Sequence, residues 1–322
     1  MKNKKTRVLS YTHYYATHNR GGGEVMLHEI LKKLVSEGME VDAVAVDNEG
    51  PIENMDGVRV FHGKEYKDID LEPYDIIVTH FAQSLYITPK AKALGKKIVY
   101  VVHNSMHETN KYLFRERPDL AIFNTEWVKA HHKYDGESVV LHPPVYAEQH
   151  ATTHGDMVTL VNLTPPKGSN MFYNLAIKLP RVKFLGVEGG YWKDIQQYIR
   201  RPNITFQENT PDMKNVVWAR TKVLLMPSTY ESYGMAPVEA MASGIPVIAT
   251  STPGLKESLS YAGIFPKTTN IREWRDILVK LLTDEAYYKE RSALALKRSK
   301  ELDPRIELDK MYEKVKKLVW KY

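Results

Sequence analysis

Two glutamates, Glu231 and Glu239, stand eight positions apart in the stretch MPSTYESYGMAPVEAMASGIPV, Met226 to Val247. Ionised carboxylates only accept hydrogen bonds, so each can take two adjacent hydroxyls of a polyhydroxyl ligand. Between them the Ser232-Tyr233-Gly234 turn leads into a helix whose first turn suits Pro237. Free N–H groups at such a helix start can hold a phosphate. A sugar joined through a diphosphate to a ribose would satisfy all three features. Taken singly, each has a plainer explanation: Glu239 as an acid favoured near a helix start, and Glu231 as a solvated loop residue.

Other groups with chemical capacity are weaker. Asp68-Ile69-Asp70 has the spacing of a metal-binding carboxylate pair but sits in a charged loop before a strand, which reads as a solvated turn. His103 and His107 could share a helical face, yet no glutamate completes a zinc-hydrolase motif. There is no phosphate-binding P-loop and no Gly-x-Ser-x-Gly elbow.

The elements that must position these residues alternate between strand and helix. RVLSYT reads as a strand and GGGEVMLHEILKKLVSEG as a loop opening a helix, with Leu27, Ile30, Leu31 and Leu34 on one face and Gly38 as its stop. MEVDAVAV, YDIIVTH, KKIVYVVHN, LAIFNT and SVVLHPP follow as strands. PPVYAEQHATTHGD reads as a linker, after which MVTLVNL, RVKFLGV, ITFQE, KVLLMPS, IPVIAT and AGIFP form a second set. Runs apolar on both faces suit parallel sheets covered on both sides. The expected fold is α/β, with two Rossmann-like doubly wound domains at 1–150 and 151–300 and a cleft between them. Residues 301–322 are expected to form a helix packing back on the first domain, with Leu308, Met311, Tyr312, Val315 and Val319 on one face. Ligands of such sheets lie beyond the strands' carboxyl ends.

A chain of 322 residues exceeds the usual size of one core, in keeping with two domains. It contains no Cys, which excludes disulfides and thiolate metal sites and suits a reducing compartment. Its start lacks an apolar core long enough for a signal peptide, and nothing approaches the roughly 20 apolar residues of a membrane span. A cytoplasmic protein is expected. The net charge of +6 would suit nucleotides, anionic lipid or nucleic acid, although so small an excess is ordinary for a soluble protein.

The stretch PSTYESYGMAPVEAMASGIPVIATSTPGLKE closely resembles the donor-binding signature of glycosyltransferase family four (glycosyl transferases group 1), retaining enzymes of the GT-B fold. Glu231 and Glu239 fall on that family's paired glutamates. HNRGGGEVMLHEILKKLVSEGMEV is similar to the family's N-terminal glycine loop, VVHNS to its strand-end histidine, and LVNLTPPKGSNMF to the loop supplying a lysine to the diphosphate. The resemblance implies Glu239 on the ribose hydroxyls and Glu231 on the sugar, with the backbone of Tyr233, Gly234 and Met235 positioning sugar and phosphate. It places Lys167, the Gly22–Gly23 loop and the helix after Gly234 on the diphosphate, and His103 beside the donor sugar. Where many relatives carry an arginine this chain has Asn162, so other groups must supply part of the charge. No metal and no cofactor beyond a UDP- or GDP-sugar donor is expected; the acceptor, a saccharide or glycolipid by analogy, is unidentified. The alternatives are a transferase acting on modified bases in DNA, a nucleotide-sugar epimerase of the same fold, and a non-catalytic nucleotide-sugar-binding protein.

Overall fold

The computed structural model describes residues 5–190 and 195–319, apart from the side chains of 107–109, so the His103–His107 pairing lies outside the described residues. The chain divides into two compact units. One gathers the residues through Pro144 with the C-terminal stretch from Pro304; the other is Val145–Asp303.

In the first unit the described strands are β1 (Arg7–Thr12), β2 (Glu40–Ala45), β3 (Glu53–Met55), β4 (Val58–His62), β5 (Ile76–His80), β6 (Lys97–Val102), β7 (Leu120–Phe123) and β8 (Ser138–Val140). They form a sheet of order β3-β4-β2-β1-β5-β6-β7-β8, parallel except for the antiparallel β3–β4 pair. β5 and β7 are buried along their whole length, as strands covered on both faces must be. The helix Gly22–Ser36 buries Met26, Leu27, Ile30, Leu31 and Leu34, the positions its helical period puts on one side. The helix Arg305–Val319 buries Leu308, Met311, Tyr312 and Val315 and packs on β6, β7, β8 and Gly22–Ser36. Glu307 anchors it, accepting from the backbone N–H of His142 at 2.8 Å.

The second unit contains β9 (Met157–Val161), β10 (Phe184–Val187), β11 (Ile204–Gln207), β12 (Thr221–Met226) and β13 (Val247–Ala249). They form a parallel sheet of order β11-β10-β9-β12-β13. Successive residues of β12 serve opposite cores: Leu224 and Met226 pack with Trp218 and Val238, while Val223 and Leu225 pack with Phe172 and Trp274. The strand order reverses between β9 and β12, so the loops following those two strands flank the switch point where such sheets bind ligands.

Two readings need correction. AGIFP is not a strand; only an isolated bridge joins Ile248 to Ile264, and Pro266, which has no N–H, cannot extend it. The stretch read as a linker is packed: Val145 belongs to the second unit's core, Ala147–His150 is a helical turn, and Ser243 Oγ accepts from the Thr152 N–H at 3.0 Å. No helix among the described residues is long and apolar enough to cross a membrane.

Candidate active site

At the switch point of the second unit, the loop after β9 carries Lys167 and the loop after β12 carries Glu231. Lys167 Nζ donates to Glu231 Oε1 at 2.6 Å, and Ser228 Oγ donates to the same oxygen at 3.0 Å. The Glu231 side chain is 11% exposed and that of Lys167 27%. A pair so far out of water loses about 3–5 kcal/mol when one partner is removed, because the other charge stays buried alone. The plain explanation of Glu231 as a solvated loop residue does not fit this burial.

Beyond Glu231 the chain turns through Tyr233, which is buried and whose carbonyl accepts from Ser258 Oγ at 2.8 Å. Gly234 follows at φ +90°, and a Cβ there would come within 2.9 Å of Leu255 Cδ2, so both conformation and space call for glycine. Met235 begins the helix Met235–Met241 directly after Gly234, which has no side chain to cap it. A helix of two turns adds little dipole of its own.

Glu239 lies past the first turn of that helix, which contains no acid, so the helix-start explanation does not apply to it. Its carboxylate meets Trp218, whose Nε1–H donates at 3.3 Å, with His150 Nδ1 at 3.8 Å. Burial, only partly offset by the Trp218 hydrogen bond, pushes its carboxyl up to about 7. His150 cannot relieve it, since burial and then the nearby Lys214 push that imidazole down toward its neutral form. Asn162, at the end of β9, adopts φ +72°. Its Oδ1 is buried without a hydrogen-bond partner, so it adds an acceptor and no positive charge.

The first unit assembles a separate cluster at the carboxyl ends of β1, β5 and β6. His103, 8% exposed, has its Nε2 2.9 Å from His80 Nδ1, and His80 Nε2 meets Thr12 Oγ1. Thr12 Oγ1 donates to the Tyr14 carbonyl at 3.2 Å, so it accepts from His80 Nε2–H. His80 Nδ1 must then accept from His103 Nε2–H, which leaves His103 Nδ1 with a free lone pair. Burial pushes His103 down to about 3 and His80 well below its ordinary value, keeping both rings neutral. Gly22 and Gly23 open the adjoining helix; a Cβ on Gly23 would meet Phe81 at 3.0 Å and His103 at 3.7 Å. Neither His80 nor Thr12 stands out in the sequence, although YDIIVTH places a strand-end histidine much as VVHN does. The carboxylates of Asp68 and Asp70 do not converge: Asp68 takes Lys90 at 2.7 Å, and Asp70 takes the Glu72 N–H at 3.0 Å.

Residues 188–298 match the family described as glycosyl transferases group 1. Over 78 residues, 24% of this chain, the sequence is 32% identical to the serotype-specific mannosyltransferase WbdA of Escherichia coli, covering 10% of that protein. Over 81 residues, 24% of this chain, it is 35% identical to a D-inositol 3-phosphate glycosyltransferase of Arthrobacter sp., covering 19% of it. The chain thus matches less than a fifth of the length of each of these relatives. Among solved structures it is similar to the sucrose-phosphate synthase of Thermosynechococcus elongatus (TM-score 0.79, 14% identity, 98% of this chain and 99% of that one). It is also similar to Anabaena HepE in complex with UDP and glucose (TM-score 0.76, 16% identity, 95% and 98% covered). The fold is therefore that of the GT-B glycosyltransferases. The stretch that matches glycosyl transferases group 1 lies within the second unit, and both glutamates lie inside it.

Proposed function

We propose that the protein is a retaining, metal-independent glycosyltransferase that moves a sugar from a UDP- or GDP-sugar to a saccharide or glycolipid acceptor. The observation that carries this reading is the pairing of Lys167 with Glu231 at the second unit's switch point, with Glu231 and Glu239 both inside the stretch that matches glycosyl transferases group 1. In this reading Glu239 accepts from the ribose hydroxyls and Glu231 from the sugar hydroxyls, while the backbone of Tyr233, Gly234 and Met235 holds sugar and phosphate. Lys167, with the N–H groups of the Gly22–Gly23 loop, stabilises the leaving diphosphate. The neutral His103 offers its Nδ1 to a donor-sugar hydroxyl. Asn162 contributes no charge and contacts the donor as an acceptor.

The reaction breaks the bond from the anomeric carbon to the phosphate oxygen and forms one to the acceptor oxygen on the same face. The acceptor proton passes to the departing phosphate oxygen, so no protein base is required. A thermal-shift screen of nucleotide sugars, followed by a transfer and hydrolysis assay on each hit, tests the reading. One donor should stabilise the protein and release a sugar of unchanged anomeric configuration. Inversion of configuration, or conversion of the donor to another nucleotide sugar with no sugar released, would overturn it.

A further inference from the structure

The first unit buries an imidazole that the donor chemistry does not use. His62 ends β4 with a fully buried side chain, and neither of its ring nitrogens has a hydrogen-bond partner. A neutral imidazole carries one N–H and one lone pair, and leaving such groups unpaired in the interior costs about 1–3 kcal/mol each. Two other side chains converge on it. Glu53 of β3 brings its Oε2 to 3.5 Å from His62 Nε2, too far for a good hydrogen bond. His18, in the loop after β1, packs edge-on against His62 with ring centroids 4.6 Å apart. One ligand atom from each of the three lies within 4.8 Å of the other two.

We propose that His18, Glu53 and His62 form a binding site for a divalent transition metal ion of the zinc class. Two imidazoles and one carboxylate are a donor set this class prefers, with a fourth position left to water. His18 Nδ1 is 3.0 Å from Thr17 Oγ1, and the tautomer that donates its N–H there leaves the Nε2 lone pair for the ion. Tetrahedral bonds of about 2.0–2.2 Å put ligand atoms about 3.3–3.6 Å apart, so the three must draw in slightly. His18 on its loop and Glu53 on an edge strand can supply that movement while His62 stays fixed in the sheet. A bound ion would give one nitrogen of His62 the partner it lacks. It would also tie the loop leading to Gly22 and Gly23 to the β3–β4 hairpin, so its role is structural and distinct from the diphosphate chemistry.

The test uses the full chain, stripped with chelator and then freed of it. Zn²⁺ alone is titrated by calorimetry, and Co²⁺ by its visible absorption. The expected result is one saturable equivalent, intense cobalt bands of a four-coordinate site, and a higher melting temperature with zinc. His18→Ala and Glu53→Gln, both at partly or fully exposed positions, should each weaken binding by at least about tenfold. His62→Gln should abolish it in the folded protein; if that variant does not fold, the other two decide the assignment. Absence of saturable binding, or equal affinity in wild type, His18→Ala and Glu53→Gln, overturns the site.

Discussion

Replacing Glu239 with glutamine separates the cost of burying a charge from the use of that charge. The carboxyl titrates at about 7 when folded, against 4.5 when free. Between those values the folded protein keeps a proton that the unfolded chain releases, so stability is fully present below pH 4.5 and is lost as pH rises through 7. The gap of 7 − 4.5 = 2.5 units, at ~1.4 kcal/mol each, makes this loss about 3 kcal/mol at pH 8. Glu239→Gln keeps the shape and still offers an oxygen to Trp218 Nε1–H, but never ionises. It should melt like wild type near pH 5 and several degrees higher at pH 8, since 1 kcal/mol is worth roughly 2–4 °C in a unit of this size.

Binding should move the other way. A charged hydrogen bond to a ribose contributes about 1.5–3 kcal/mol, so the variant should bind the bare nucleoside diphosphate about 10- to 150-fold more weakly at pH 8. Wild-type affinity should fall as pH drops below about 7 by more than the variant's does, a comparison that cancels protonation of the nucleotide itself. Thermal melts at the two pH values and calorimetry with UDP and GDP provide the measurements. A variant less stable than wild type at pH 8, or equally shifted at both pH values, refutes the buried-charge reasoning. Unchanged nucleotide affinity refutes the ribose contact.

Lys167→Ala should cost about 3–5 kcal/mol in denaturant unfolding by stranding Glu231. The double change Lys167→Met with Glu231→Gln should regain most of that stability without regaining transfer; a double variant that transfers sugar removes the pair from the donor site. His80 and His103 stay neutral in the fold, so below about pH 6.5 the unfolded chain takes up protons that the folded one refuses. Stability should fall toward acid at up to about 1.4 kcal/mol per pH unit for each ring, and His80→Phe should flatten that slope; a wild-type unfolding profile flat from pH 7 to 4 would sink the neutral relay. Transfer is expected to persist in EDTA. It is best measured in the Glu53→Gln protein, where loss of an ion from the hairpin cannot imitate loss of a catalytic one; activity abolished by chelator and restored by magnesium or manganese would contradict metal independence.

Local patterns carried much of this structure into view, and tertiary contacts carried the rest. The helix faces at Leu27–Leu34 and Leu308–Val315 follow from period alone, because one side is apolar and the other charged. The β3–β4 hairpin, absent from the strands expected above, does have a local signal. Asp56-Gly57 separates its strands with both residues at positive φ, 52° and 87°, the mark of a tight hairpin turn. The signature around Glu231 and Glu239 was visible because one turn and one helix carry both residues. That Glu239 meets Trp218 was not visible, since Trp218 enters from the turn before β12. Likewise the relay of Thr12, His80 and His103 joins the ends of three strands, and the cluster of His18, Glu53 and His62 joins a loop to a hairpin. No fixed spacing encodes either.

The pairing of Lys167 with Glu231 poses a question about the proposed reaction: why would a donor site neutralise its own cation before the donor arrives? A lysine held alone at 27% exposure would have to be desolvated and ordered when the diphosphate binds. Held by Glu231, it is already stripped of most water and fixed in place, so little reorganisation remains for the transition state. A diphosphate brings two or more negative charges and can take over part of the lysine's hydrogen bonding. Glu231 then needs new donors, and the hydroxyls of the incoming sugar are the groups that supply them. The ion pair is balanced on its own, whereas the filled site carries excess negative charge that backbone N–H groups must offset, and a ligand with diphosphate but no sugar also leaves Glu231 short of donors. On that reasoning the intact nucleotide sugar should bind more tightly than the bare diphosphate in wild type, and the preference should shrink in Glu231→Gln. Calorimetry with both ligands on both proteins measures the difference, and an equal preference in the two would detach Glu231 from the sugar.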